Sequence, residues 1–209
     1  MNAAFLLLAD SRLPTGGYAH SGGLEEAVAR RAVGDVGTLE GWLVGRLHTT
    51  GRVDAAFAAA SAEEGADRAR LDAEVAARTP SQAQRRASRA QGRGVARAAR
   101  SVWPQGADIL AGLPDAPMWP VALGAVALAA GLGAGDAALL AASASVTGPA
   151  WAATRLLGLD PFAVASVLGR LADQIEAVAT SRGRPAAAAP LLEIGAESHA
   201  LWEVRLFAS

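Results

Sequence analysis

The sequence predicts an all-α fold: a single-domain bundle of about eight to ten helices with a short C-terminal tail. Three observations carry this. Alanine supplies 53 of the 209 residues, and alanine and leucine are both strong helix formers. Isoleucine occurs only at Ile109, Ile175 and Ile194, and no run alternates with period two. Helix-start devices punctuate the chain. Thr79-Pro80-Ser81-Gln82 reads as an N-cap, a proline at the first helical position and a glutamine closing a capping box. Asp160-Pro161 repeats the cap and proline, and Asp136 after Gly135 caps another segment.

In chain order, a short helix is expected at 3–9, then a Gly/Pro loop at 10–23. Helices follow at 24–31, 38–60, 63–78, 80–102, 120–131, 136–146, 149–157 and 161–181. A Pro/Ala linker at 183–190 leads into a tail ending Arg205-Leu206-Phe207-Ala208-Ser209. The expected organisation is thus one domain over 1–182, with 183–209 as linker and docking tail. Segments 120–130 and 137–142 are apolar all round, so they belong at the centre with other helices around them. The uncharged stretch 116–135 reaches the ~20 residues that a bilayer span requires. Its Pro117, Pro120, Gly124 and Gly131 and its high alanine content make it a buried core helix instead. With no basic segment ahead of the first apolar run, and Asp10 interrupting it, the expected compartment is the cytoplasm. Surplus apolar surface makes a homodimer plausible.

Composition excludes several chemistries. There is no cysteine, hence no thiolate nucleophile and no cysteine-ligated metal. All 19 Lys+Arg residues are arginine, which removes a phosphate-binding Walker lysine and Schiff-base chemistry. The three histidines, His20, His48 and His199, form no local metal-binding pair. The adjacent carboxylates Glu25-Glu26 and Glu63-Glu64 point to different sides of their helices and read as solvated. Gly131-Leu132-Gly133-Ala134-Gly135 follows a helix rather than a strand and reads as a turn. No catalytic residue, metal site or cofactor is therefore expected.

Two features ask for a role. Arg85, Arg89, Arg93 and Arg97 recur every four residues along one helix face, in a stretch without acids between Glu74 and Asp108. Such a stripe is a solvated face partly neutralised by the acidic helix at 63–74, a site for an anionic protein, or a nucleic-acid contact. The last lacks interleaved aromatic residues for base stacking, and the net charge is only −1. The second feature is the loop Leu13-Pro14-Thr15-Gly16-Gly17-Tyr18-Ala19-His20-Ser21-Gly22-Gly23-Leu24-Glu25. Four glycines and a proline around one tyrosine and one histidine make a tightly turned loop that presents polar side chains.

That loop resembles the signature of the urease accessory protein UreF family: Leu13-Pro14, Gly16-Gly17-Tyr18, Ser21 and Gly23-Leu24-Glu25. Arg85, Ala87-Ser88 and Gly92 resemble the family's middle block, and His199, Arg205-Leu206-Phe207 and Ser209 its ending. The chain departs from the family pattern at Ala83, Met118 and Ala200. The resemblance implies an all-α, cytoplasmic, usually dimeric protein without enzymatic activity. It implies a bridge between a UreD/UreH-type accessory protein and the nickel-carrying GTPase UreG, docked on urease apoprotein for GTP-dependent nickel insertion. On that reading Pro14, Gly16, Gly17, Tyr18, His20, Ser21 and Glu25 belong to the GTPase-facing surface. Arg205, Leu206 and Phe207 dock the tail onto this chain's own body or into the UreD-type partner. An arginine with an aromatic anchor is hot-spot composition. Arg85 and Arg89 either meet an acidic partner or brace a helix pair. No nucleic acid and no membrane is expected as partner. Two other classes remain open: a nucleic-acid-binding regulator using the arginine stripe, and a small α-helical enzyme acting through His20 and Glu25.

Overall fold

The computed structural model describes residues 3–10 and 12–208. Met1, Asn2, Ser11, Ser209 and the side chain of Tyr18 lie outside the described residues. All regular elements among them are helical. At the centre lie α8 (Trp119–Ala129) and α9 (Ala134–Leu157), crossed by α4 (Arg52–Ser61). Nearly every α8 residue is buried, as its all-round apolar sequence requires. Small side chains let the backbones close in: a β-carbon on Gly124 would lie within contact of the Ala58 carbonyl of α4. Ser61 completes that crossing, its Oγ donating to the Val121 carbonyl at 2.7 Å.

The remaining helices wrap this centre. α1 (Ala3–Ala9), α2 (Leu24–Ala29), α3 (Val36–Arg46), α10 (Pro161–Arg170) and α11 (Ala172–Ala179) pack on α9. α5 (Arg68–Ala77) packs on α4. α6 (Gln82–Val102) and the short α7 (Ala107–Ala111) cover α8. α12 (Pro190–Ala200) reaches back across α6 and α2.

The local chemistry mostly follows the sequence, with informative shifts. Asp160 caps α10 by accepting from the Phe162 amide at 3.2 Å. The expected Thr79 cap moves two residues on: Ser81 caps α6, its Oγ accepting from the Gln84 amide at 3.1 Å. Asp136 lies in the first turn of α9 and reaches back to the Gly133 amide at 3.2 Å. The acidic helix starts at Arg68, capped by Asp67, so Glu63 and Glu64 sit exposed in the preceding turn. The single helix expected at 161–181 breaks at Leu171, and the segment read as tail contains α12.

Two corrections reach the interior. The helix expected over 38–60 runs as α3, a π-turn at Leu47–Gly51, then α4. The two helices expected at 136–146 and 149–157 are one, with Pro149 inside α9. A proline at 149 has no N–H for the Ser145 carbonyl four residues back. The Arg46 guanidinium replaces that donor, its Nε bonding the Ser145 oxygen at 2.9 Å. No helix among the described residues is long and apolar enough to cross a membrane.

Candidate functional site

The first and last motifs of the sequence meet. Glu25, near the start of α2, turns its carboxylate inward, with Ser21 Oγ accepting from the Glu25 amide at 3.3 Å. Oε1 accepts from the Leu206 amide at 2.8 Å. Oε2 accepts from the Phe207 amide at 3.1 Å and bonds His199 Nε2 at 2.9 Å. One residue on, the Ala208 amide donates to the Ala19 carbonyl at 2.7 Å. The Phe207 ring is buried in the main core cluster, with the Arg155 guanidinium 4.9 Å from its centroid. His199 is set against Trp202, ring centroids 4.7 Å apart.

Burial opposes ionisation of Glu25, but the Leu206 amide, His199 and the Phe207 amide outweigh it and hold the carboxyl below its ordinary value. A buried carboxylate with three donors is stable where an unpaired one is not. Glu25 is therefore not the solvated member of an acidic pair. It is only 7% exposed and acts as a clamp on the tail of its own chain. Its carboxylate partners are His199 and the tail amides, not His20. His20 is half-buried, and burial lowers its pKa.

The tail has two sides. Phe207 points in, while Arg205 and Leu206 are exposed, Leu206 by 65%. Val204 and Leu201 extend this apolar edge.

The signature loop rests on α6. A β-carbon at Gly94 would sit inside contact of the Thr15 carbonyl, so this helix position must be glycine for the loop to lie where it does. Gly16, with φ of 81°, turns the chain into the short 3-10 turn Gly17–Ala19, while Pro14 and Gly17 are exposed. Tyr18 contributes its backbone to that turn, and its side chain lies outside the described residues.

The arginine stripe divides in two. Arg85 closes the turn before α6 by donating to the Thr79 and Pro80 carbonyls at 2.6 and 2.7 Å. Arg89 pairs with Asp72 of α5 at 3.0 Å and bonds the Ala116 carbonyl. Asp72 also accepts from the Met118 amide at 2.6 Å, so this pair ties α5, α6 and the start of α8 together. Arg93, Arg97 and Arg100 are exposed and, with Thr15, Gly16 and His20, line a groove of about 580 Å³.

Sequence reasoning missed several residues. Glu197 of α12 accepts from Ser81 Oγ at 2.6 Å and the Ala83 amide at 2.8 Å, an acid at the N-terminus of α6. Nothing in its spacing marks it. Arg46 and Asp54 were also unmarked, although each is a charge within a helix that packs on α9. No group of three or more potential metal-ligating side chains occurs among the described residues.

The ends thus joined are the first and last of the three blocks that carry the family resemblance. A family model described as UreF matches residues 33–172. The urease accessory protein UreF of Mycobacterium sp. (strain JLS) is 49% identical over 206 residues, 98% of this chain and 97% of that one. That of Mycolicibacterium vanbaalenii is 46% identical over 213 residues, covering 99% and 98%. That of Mycobacterium tuberculosis (strain H37Rv) is 44% identical over 202 residues, covering 94% and 93%. The chain belongs to the UreF family of urease accessory proteins. The matched model span stops short of both the signature loop and the tail. The UreF relatives extend over nearly the whole chain and therefore across the clamp.

Proposed function

We propose that this UreF-family chain is a non-enzymatic cytoplasmic scaffold. It bridges a UreD/UreH-type accessory protein and a UreG-type GTPase during GTP-dependent nickel insertion into urease apoprotein, acting as a homodimer. The observation that carries this reading is the clamp. Glu25 fixes the last residues of the chain against the first motif, so that Arg205 and Leu206 are presented on an ordered edge. Pre-ordering removes part of the entropic cost of docking. The groove between the signature loop and Arg93, Arg97 and Arg100 supplies a second, basic surface. One surface for each of two partners is what a bridge requires. On this reading nickel is cargo and GTP hydrolysis belongs to the partner.

Co-purification of the chain with the neighbouring urease gene products, with the mass of each assembly measured, tests the proposal. A complex containing the chain, the UreD/UreH-type protein and the GTPase is expected. GTP turnover by the isolated chain, or failure to assemble with either protein, contradicts it.

A further inference from the structure

Behind the clamp lies a second polar feature that the scaffold reading does not use. A cavity of about 110 Å³ opens where α3, α4, α5, α6, α8 and α12 converge on Gly22 and Gly23. The charged and titratable groups on its wall are Arg46, Asp54 and His199, with Thr50, Ser88 and Gln91 adding neutral polar groups. Glu25 stands behind His199, joined to it at 2.9 Å.

The π-turn brings the two opposite charges to one face. At about 100° per residue, positions eight apart on a plain α-helix differ by about 80°. A π-turn accommodates one extra residue, which reduces the offset to about 20°. Arg46 and Asp54 flank the turn at Leu47–Gly51 and so face the same space.

They do not form an ion pair. Arg46 donates Nε to the Ser145 carbonyl at 2.9 Å and Nη1 to the Gly22 carbonyl at 2.7 Å, and its Nη2 has no acceptor among the described residues. The Asp54 side chain makes no hydrogen bond there, its one interaction being the charge of Arg46 at longer range. A guanidinium with a donor to spare thus faces an unbonded carboxyl across a cavity whose remaining wall is largely apolar.

We propose that this cavity is a binding site for a small carboxylate-type monoanion, held between Arg46 and Asp54. A guanidinium edge matches a carboxylate in geometry and charge. At ~10–15 Å³ of such space per water, the cavity of about 110 Å³ holds about seven to eleven water-sized groups, room for a small anion of about three or four heavy atoms with water beside it. Burial pushes the Asp54 carboxyl up to about 7, the Arg46 charge opposing. At slightly acid pH Asp54 is therefore neutral and donates its O–H to the anion. Above neutrality its own charge competes for Arg46 and repels the ligand.

Formate is the probe, titrated into the full chain at constant ionic strength with chloride as the reference anion and followed by ligand-observed NMR. A three-atom ligand is expected to bind with a dissociation constant on the order of millimolar. Affinity should fall about tenfold between pH 6 and pH 8. Arg46→Gln should abolish binding. Asp54→Asn, which keeps an N–H donor facing the cavity, should bind formate with the pH dependence removed. No formate-specific signal at pH 6, or equal binding by a folded Arg46→Gln variant, overturns the site. The same tenfold loss persisting in Asp54→Asn overturns the role given to Asp54.

Discussion

The Glu25 carboxylate accepts a hydrogen bond from the Phe207 amide at 3.1 Å, joining residues 182 positions apart. With Leu206 and His199 it forms a clamp that closes the chain on itself. A charged acceptor shared by three buried or half-buried donors is worth more than its separate bonds, because removing it leaves all three unsatisfied.

Glu25→Ala should therefore free the tail rather than unfold the bundle, whose core is built mainly from α4, α8 and α9. The expected cost is about 1–3 kcal/mol, from donors left without an acceptor. Hydrogen exchange at Leu206 and Phe207 and trypsin cleavage after Arg205 read it out: both should accelerate while helical circular dichroism is unchanged.

Acid should act in the same direction. Folded Glu25 sits below its ordinary value of 4.5. Its contribution is complete above that pH and is lost as pH falls through the lowered folded value. Protection of the tail amides, relative to their intrinsic exchange rate at each pH, should fall on acidification in the wild type and show no such step in Glu25→Gln.

Asp54 should titrate with the opposite sign. Its folded value is pushed up to about 7 from an ordinary 3.8, so the folded state favours the proton. Its stabilising effect is present below 3.8 and lost as pH rises toward 7. Asp54→Asn should be more stable than wild type at pH 8, by about 1–4 kcal/mol, with the gap closing toward pH 4. Urea denaturation at both pH values measures it.

Arg46 and Pro149 should couple. In the wild type Arg46 supplies the donor that Pro149 cannot give to the Ser145 carbonyl. Pro149→Ala restores an N–H at that position, so Arg46→Met should cost about 1 kcal/mol less in that background than alone. Additive effects in a double-mutant cycle would count against this account.

Much of this was legible in the sequence, and the remainder has identifiable causes. The all-round apolar runs at 120–130 and 137–142 gave the central helices, because such helices have nowhere else to go. Asp160-Pro161 gave a helix start through purely local chemistry. Pro149 misled because proline is ordinarily a breaker, and its replacement donor comes from a residue 103 positions earlier in the chain. Glu25 looked solvated because neighbouring Glu26 set the local context, while its three partners lie in a tail that local spacing cannot place. Arg46 and Asp54 stayed hidden for a different reason: helical phasing puts them on different faces until a π-turn restores the register.

The signature loop's seat is a further consequence of packing. Gly94→Ala places a methyl group against the Thr15 carbonyl and should displace the loop at a cost of about 1–3 kcal/mol. Partner binding should fall more than stability does. Comparison of thermal unfolding with pull-down by the GTPase separates the two.

The most direct test of the scaffold account replaces the exposed tail residues while leaving the clamp in place. The double variant Arg205→Ala, Leu206→Ala keeps both tail amides and the Phe207 anchor. Its assembly with the UreD/UreH-type protein and the GTPase is read by native mass, beside the nickel content of co-expressed urease. The account predicts a folded variant that loses the three-protein assembly and yields nickel-poor urease. An intact assembly with fully nickel-loaded urease would contradict it.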